Sequence, residues 1–220
     1  MEEEHLYPTA LVNPRLVDNY VAAIVGNIGS GKTHLVMKLI QMWKWKFDVI
    51  VIISPTYSLQ EAGSIRDNTG IIIFDRFSVT NLELIKEHQE ARNRQRLESG
   101  EPPSHMLLIL DDNGMQTRKA LQGGAMDDII IRCRHFKINI VQLSQRYGQL
   151  STTLRSNAMF LILFAENNPQ ERRNLYTFHG YGKRSDFLAT IDHHTRERYS
   201  WIGLKCFPDG YRFFTHEGYL

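Results

Sequence analysis

The chain has 220 residues, of which 42% are hydrophobic and 23% are charged, and its formal net charge at pH 7 is +2. This length and composition predict a globular protein with one main domain and a sizeable core. Because the net charge is small, it does not by itself indicate a nucleic-acid-binding protein, and any such surface would have to be local.

Two further features argue against other classes of protein. The cysteines, Cys133 and Cys206, form no C-x-x-C pair, which disfavours a disulfide framework or a zinc site and fits a reducing compartment. The acidic first residues do not resemble a signal peptide, and no apolar run reaches membrane-spanning length. We therefore expect no transmembrane segment.

From the N-terminus, the first segment is predicted to be a surface arm. It covers residues 1–18, and its prolines discourage regular structure. Residues 20–25 form a short apolar run that is typical of a buried parallel strand. Apolar residues then recur at helical spacing over residues 34–43, which predicts a helix.

Between this strand and this helix lies the pattern G-x-x-x-x-G-K-T, which binds nucleotide phosphates. Its glycines let backbone N–H groups turn inward around an anion, and the following helix adds its positive N-terminal end. Lys32 would place a cation at the β- and γ-phosphates, and Thr33 would offer a hydroxyl to Mg²⁺. A glycine-rich turn without a ligand is the alternative, but the strand and helix on either side favour nucleotide binding. The predicted nucleotide-binding residues are Gly26, Asn27, Ile28, Gly29, Ser30, Gly31, Lys32 and Thr33.

The next elements also alternate between strand and helix. Apolar runs at 48–54 and 71–74 predict two strands. The capping-box pattern at Thr80–Glu83 predicts the start of a helix that ends near Leu97. Residues 106–112 then predict another strong strand that ends in two aspartates.

In the second half, a helix is predicted within residues 118–131, with an interruption at two glycines. Strands are predicted at 138–145 and 158–164, and helical stretches within 168–195. Residues 199–214 predict a β-hairpin around a Pro-Asp-Gly turn.

This alternation predicts an α/β fold, in which a mostly parallel central sheet is flanked by helices on both faces. We expect three segments along the chain. They are an N-terminal arm (1–18), a core (19–198) and a small C-terminal β-hairpin extension packed on the core (199–220).

The aspartates Asp111 and Asp112 form the second element expected of a nucleotide site. An acidic residue at the carboxyl end of a buried strand lies where ligands of such sheets bind. Asp111 would hold the Mg²⁺ shell, and Asp112 would orient or deprotonate the attacking water. A strand that ends in an acidic turn is the alternative, and the upstream phosphate-binding pattern favours the pair as functional.

Three residues beyond this pair are possible participants in hydrolysis. Gln145 ends a predicted strand and either senses the γ-phosphate or is an ordinary polar strand end. Arg134 is either a solvated helix end, where a cation meets the helix dipole, or an arginine finger supplied to a neighbour's γ-phosphate. Arg155, just before the next predicted strand, is either structural or a second finger.

Two basic segments are the predicted DNA contacts. One contains Arg92, Arg94 and Arg96, and the other contains Arg118 and Lys119. Solvated surface charge is the alternative for both segments, since the charge runs alone do not distinguish the two interpretations.

The motifs together resemble the FtsK–HerA superfamily, and within it the viral DNA-packaging ATPases of the poxvirus and giant-virus or virophage type. The segments that carry the resemblance are GNIGSGKT, LLILDD, RCRHFKINIVQLSQ and LRSNAMFLILF. They lie within residues 20–165, and the similarity is weaker in the tail at 199–214. The first motif is shared by many families, whereas the Arg-His, Gln and Arg-x-Asn series is more selective.

The resemblance implies a RecA-like P-loop ATPase that assembles into a ring, a pentamer or hexamer, and hydrolyses ATP with Mg²⁺ between its subunits. Double-stranded DNA would be pulled through the ring into a preformed capsid, with capsid or portal-vertex proteins as partners. The implied location is the viral factory in the host-cell cytoplasm, and also the virion.

The resemblance also implies roles for single residues. Lys32 and Thr33 would bind phosphate and Mg²⁺, and Gln145 would sense the γ-phosphate. Arg134 would be the first choice for the finger. Asp112 stands where cellular relatives carry Glu, which leaves the identity of the base open.

Three other functions are compatible with a P-loop. A nucleoside or nucleotide kinase would need lid arginines, which the segment at 92–96 resembles, but the aspartate pair and Gln145 favour hydrolysis by water. A nucleotide-switch GTPase would need an Asn-Lys-x-Asp motif, which is absent from the sequence. A related DNA transfer motor of the same superfamily stays open.

Overall fold

The computed structural model describes residues 19–43, 46–55, 70–111, 124–207, 210–215 and 218–219. In this part of the chain there are nine strands: β1 (Val21–Val25), β2 (Val49–Ile53), β3 (Gly70–Phe74), β4 (Met106–Leu110), β5 (Ile138–Ser144), β6 (Phe160–Leu163), β7 (Ile202–Phe207), β8 (Gly210–Thr215) and β9 (Gly218–Tyr219). They form one sheet in the order β3-β2-β4-β5-β1-β6-β7-β8-β9.

The helices of the described residues connect and cover these strands. They are α1 (Lys32–Trp43), α2 (Val79–Glu98), α3 (Ala125–Ile131), α4 (Cys133–Phe136), α5 (Thr152–Asn157), α6 (Pro169–His179) and α7 (Arg184–His194), and a 3₁₀ helix at Tyr147–Gln149 follows β5. No helix in these ranges is both long enough and apolar enough to cross a membrane.

The first six strands are parallel to one another, so their carboxyl ends meet at one edge of the sheet. We call this the carboxyl edge and the opposite one the amino edge. The residues that directly follow β1, β2, β4, β5 and β6 at the carboxyl edge are Gly26, Ser54, Asp111, Gln145 and Phe164. Ligands of open α/β sheets bind at this edge, so the topology already selects where the site lies.

The central strands β1, β2, β4, β5 and β6 are buried on both faces, and their side chains alternate between two apolar layers. Along β1, Val21, Ala23 and Val25 belong to one layer, whereas Ala22 and Ile24 belong to the other. Helix α1 packs on the second layer, and apolar residues of α2, α3, α6 and α7 pack on the first. The predicted α/β fold with helices on both faces is therefore confirmed.

The last three strands add an antiparallel end to the sheet. Strand β7 pairs with β6, β8 pairs with β7, and β9 pairs with β8, all antiparallel. Gly203 on β7 lies opposite Phe214 on β8, and an added β-carbon at Gly203 would lie 2.0 Å from the Phe214 ring. The predicted hairpin thus extends the central sheet, and the phenylalanine ring fills the space that the glycine leaves.

Most predicted helices and strands occur at or near the predicted residues. The predicted start of one helix is wrong. Helix α2 begins at Val79, and its N-cap is Ser78, whose hydroxyl accepts the N–H of Asn81 at 3.4 Å. Thr80 therefore lies inside the helix, two residues after the N-cap. The predicted arm, the start of the helix predicted within 118–131 and the turn at 208–209 lie outside the described residues.

Candidate nucleotide site

The P-loop is anchored to the sheet at its first residue. The N–H of Gly26 donates to the carbonyl of Ser144 on β5 at 3.1 Å, which continues the ladder between β1 and β5. Gly29 and Gly31 have φ values of +75° and +104°. Side chains other than glycine rarely adopt these values, so both glycines are needed for the backbone to turn around an anion.

Lys32 is buried and folds back over the loop that precedes it. Its Nζ donates to the carbonyl oxygens of Gly26 at 2.6 Å and Asn27 at 3.0 Å. A lysine ammonium has three hydrogen-bond donors and no acceptor, and these two contacts use two of the donors. Phosphate oxygens at the same place would replace the two carbonyls as acceptors. Thr33 is exposed at the start of α1.

Asp111 directly follows β4 and is 4% exposed. Its backbone N–H donates to the carbonyl of Ile53 at 2.9 Å, and the hydroxyl of Ser54 donates to its Oδ2 at 3.3 Å. These bonds fix both the backbone and the carboxylate at the carboxyl edge. A carboxylate held in this way is a suitable ligand for a hard divalent cation.

Gln145 lies between the phosphate loop and this carboxylate. Strand β5 separates β1 from β4 in the sheet, and Ser144 pairs with Val25 at the end of β1. The next residues on the two strands are Gln145 and Gly26, so the register places them side by side. Leu110 pairs with Gln142, so Asp111 is level with Leu143, two residues before Gln145. Neighbouring strands are about 4.8 Å apart, so β4 and β1 are roughly 10 Å apart across β5. The predicted residues Lys32, Asp111 and Gln145 therefore come together.

Hydrogen bonds hold the loop that carries Gln145. The Ser144 hydroxyl donates to the carbonyl of Arg146 at 2.8 Å, and the N–H of Arg146 donates to the side-chain oxygen of Gln149 at 3.2 Å. On α6, the Glu171 carboxylate accepts the N–H of Gly148 at 2.6 Å. Helix α6 therefore sets the position of this loop.

The buried side chain of His179 also contacts this loop. The Tyr147 hydroxyl is 2.8 Å from Nε2 of His179, and the His179 ring contacts the Tyr211 ring at 4.9 Å between centroids. Burial, and to a smaller extent the nearby charge of Arg155, lower the pKa of His179 from 6.5 to about 4. His179 is therefore neutral at pH 7, and in the neutral form Nε2 can accept the Tyr147 proton.

The two possible arginine fingers lie in different surroundings. Arg134 is exposed on α4, which ends immediately before β5. It therefore lies at the amino edge, whereas Gln145 follows the same strand at the carboxyl edge. Seven strand residues separate the two ends, a distance of roughly 23 Å. Arg134 is too far away to reach the phosphate loop of its own subunit.

Arg155 is packed inside its own subunit. Its guanidinium lies 4.5 Å from the Phe178 ring centroid and 5.5 Å from that of Tyr147, and Nη2 donates to Thr152 at 3.3 Å. Cation–π contacts of this kind hold a guanidinium in place. Arg155 would have to leave these rings to reach another subunit.

The predicted DNA contacts lie partly within the described residues. Arg92 and Arg94 are exposed near the end of α2. Arg96 is ion-paired with Asp48 at 2.9 Å and with Glu101 at 3.4 Å, so it also stabilises the amino edge. Outside the described residues lie the other predicted site residues Asp112, Arg118 and Lys119.

Sequence reasoning missed two residues that shape the site. Ser54 bonds to Asp111, and the rule that ligands bind where parallel strands end would have selected it. Glu171 holds the loop after β5 from a distant helix, and no local pattern in the sequence indicates that contact.

Comparison with known proteins decides the family. The family model of the poxvirus A32 protein matches residues 13–193, which is more than half of the chain. The chain belongs to the poxvirus A32 protein family. The resemblance that the motifs indicated is thereby confirmed.

Among curated relatives of this A32-family chain is the DNA packaging protein OPG160 of variola virus. The two sequences are 25% identical over 175 residues, which cover 77% of this chain and 62% of OPG160. The chain thus spans less than two thirds of the length of the relatives it matches.

Solved structures share the fold of the A32-family chain. The genome-packaging NTPase B204 of Sulfolobus turreted icosahedral virus 2, in complex with sulfate, matches with a TM-score of 0.62 and 15% identity. That match covers 90% of this chain and 97% of B204. The pCW3 conjugation coupling protein TcpA matches with a TM-score of 0.55 and 13% identity, over 93% of this chain and 60% of TcpA. At these identities the likeness concerns the fold alone.

The low pKa of His179 predicts how stability depends on pH. The unfolded chain binds a proton at His179 below about pH 6.5, whereas the folded chain does so only near pH 4. The folded state therefore loses stability as the pH falls through this window, by about 2 kcal/mol between pH 7.5 and pH 5.

Denaturant unfolding at both pH values checks this prediction. His179→Gln removes the titrating group and keeps an acceptor for Tyr147, so we expect a flatter change in unfolding free energy than in the wild type. Equal changes in the two proteins would show that His179 does not control this pH dependence.

Proposed function

We propose that the chain is an ATPase that moves double-stranded DNA, and that it packages a viral genome into a preformed capsid. The observation that carries the proposal is the convergence of the P-loop, Asp111 and Gln145 at the ends of neighbouring parallel strands. Family membership supports DNA packaging as the use of this site.

We also propose three segments along the chain. They are an arm (1–18), a core (19–198) and a hairpin extension (199–220).

The first step is binding of ATP at the P-loop. Backbone N–H groups of the loop and the start of α1 would contact the phosphates. Lys32 would exchange the carbonyls of Gly26 and Asn27 for phosphate oxygens. The buried position of Lys32 strengthens this contact, because a lower local dielectric strengthens attraction between opposite charges.

Asp111 and Thr33 fit a divalent cation at the phosphates. The carboxylate is buried and oriented by Ser54, and Thr33 stands at the first turn of α1. Carboxylate and hydroxyl oxygens are ligands that Mg²⁺ accepts, and the rest of its shell normally comes from water and phosphate. When bound, Mg²⁺ would offset negative charge on the β- and γ-phosphate oxygens.

Hydrolysis then needs an oriented water. Gln145, beside the P-loop, would hold this water by its amide, and the hydrogen bonds around Gly148 would keep the glutamine in place. Asp112 is proposed as the base that takes a proton from the water.

The last catalytic group in this proposal is an arginine that a neighbouring subunit of a ring would supply. Because Arg134 is exposed and far from its own P-loop, we propose that it serves the γ-phosphate of the neighbouring subunit. Its planar guanidinium can donate two parallel hydrogen bonds to phosphate, which lysine cannot reproduce. Such a contact couples hydrolysis in one subunit to the position of the next in a pentamer or hexamer.

The remaining parts of the proposal concern partners. Arg92, Arg94 and Arg96 in one segment, or Arg118 and Lys119 in the other, would contact DNA phosphates. Capsid or portal-vertex proteins would anchor the ring. The protein would act in the viral factory of the host-cell cytoplasm and would also occur in the virion.

A DNA transfer motor is the second proposal, because TcpA shares the fold. Such a motor would use the same chemistry and also respond to DNA. It would differ in its partners, since only a packaging motor would associate with capsid proteins.

ATP hydrolysis with and without long double-stranded DNA tests the proposed function. We expect DNA to stimulate the wild-type rate and Lys32→Ala to abolish ATP binding, because it removes the cation at the phosphates. A nucleoside kinase would ignore DNA and consume ATP only with a nucleoside acceptor. Wild-type ATP affinity in the Lys32→Ala variant would contradict the phosphate site itself.

Mixed rings test the proposed role of Arg134. Arg134→Ala should fold and bind ATP but lose about 10³–10⁵-fold in turnover. Subunits with Arg134→Ala and subunits with Asp111→Asn should recover activity when mixed, because each supplies what the other lacks.

Arg132→Ala is the matched control. Arg132 lies two residues away but stacks on Phe136 at 4.6 Å and pairs with Asp128 at 3.2 Å within its own subunit. Its replacement should therefore preserve turnover. If verified mixed rings stay inactive, Arg134 does not complete the neighbour's site, and Arg155 becomes the leading choice for that role.

A further inference from the structure

A cavity of about 550 Å³ opens beside the first turn of α1. The P-loop, α1, the end of β6 and the segment before β7 supply its walls. Its lining residues are Gly31, His34, Leu35, Lys38, Phe164, Tyr199 and Trp201. Only Gly31 belongs to the P-loop pattern, so the cavity is a separate compartment next to the proposed phosphate site.

One wall residue of this cavity has an unusual backbone. Tyr199 has a φ of +69°, and its side chain is 55% exposed. Positive φ is costly for a bulky residue, whereas glycine adopts it freely. Surrounding structure must maintain the conformation, and such strain occurs preferentially at ligand sites.

The aromatic walls of the cavity closely approach the P-loop. A β-carbon at Gly31 would lie 3.2 Å from Cδ1 of Tyr199 and 3.6 Å from Cε1 of Phe164. The absence of a side chain at position 31 is therefore also what lets the tyrosine come this near. The Arg198 guanidinium lies 4.7 Å from the Tyr199 ring centroid, which further restricts the ring.

The sheet order shows which part of a nucleotide would reach the cavity. Asp111 and Gln145 follow β4 and β5, on one side of the P-loop strand β1. Phe164 follows β6, on the other side of β1, and the cavity lies there. With the γ-phosphate directed toward Asp111, the base and ribose would extend in the opposite direction, into the cavity.

We propose that the cavity binds the nucleobase and that Tyr199 stacks on it. This inference rests on the proposed binding of nucleotide at the P-loop. Every base has a π-face, so stacking accepts any base, and the larger purines gain more contact than pyrimidines. Tyr199 thereby makes the site favour purine over pyrimidine nucleotides, with little distinction between adenine and guanine from stacking itself.

Calorimetric titration of the full chain with ATP, CTP and inorganic tripolyphosphate, each with Mg²⁺, tests the inference. In Tyr199→Gly, ATP affinity should fall about 5- to 150-fold, the range that loss of one aromatic–base stack produces. Tripolyphosphate affinity should stay the same, and the preference for ATP over CTP should shrink. Tyr199→Phe, which keeps the ring, should retain both the ATP affinity and the preference.

The glycine variant also separates a binding role from a structural one. Glycine relieves the positive φ, so the melting temperature should be unchanged or higher even though ATP binding weakens. Unchanged ATP affinity, or equal loss for ATP and tripolyphosphate, would overturn the inference. If the wild type binds ATP no better than tripolyphosphate, base stacking at Tyr199 is overturned and the proposed function is not. If the wild type binds neither ATP nor tripolyphosphate, the proposed function is overturned as well.

Discussion

The site depends on the parallel register of β4, β5 and β1. Leu110 at the end of β4 pairs with Gln142, and Val25 at the end of β1 pairs with Ser144, so the three strands end at the same edge, with β4 two residues short of β1. Asp111, the proposed metal ligand, Gln145, the proposed γ-phosphate sensor, and the P-loop follow these ends. A change of this register would separate Asp111 from Lys32, even if each residue kept its local structure.

This dependence explains why much of the fold could be predicted. Parallel strands that are buried on both faces consist almost entirely of apolar residues, and β1, β2 and β4 stand out in the sequence for that reason. Once these strands are parallel, their carboxyl ends identify Asp111 and Gln145 without further information. The P-loop could be predicted because its glycines meet a local backbone requirement.

The other parts of the site could not be predicted, because they depend on contacts between residues that are far apart in the sequence. No local sequence pattern indicates the hydrogen bond from Gly148 to Glu171 or the packing of Arg155 against two rings. Tyr199 lies far from the P-loop in the chain, and the pairing of Ile202 with Leu163 at the start of β7 brings the segment before β7 to Gly31. The start of helix α2 was also predicted two residues too late, because the pattern at Thr80–Glu83 resembles a capping box although Ser78 forms the cap.

In the proposed function, ATP hydrolysis at this edge drives movement along double-stranded DNA. Displacement of a triplex-forming third strand from a long linear duplex measures such movement directly. We expect the wild-type chain to release the third strand only with ATP and Mg²⁺, and Asp111→Asn to leave it bound. A third strand that stays in place while the wild-type protein hydrolyses ATP would contradict movement along DNA.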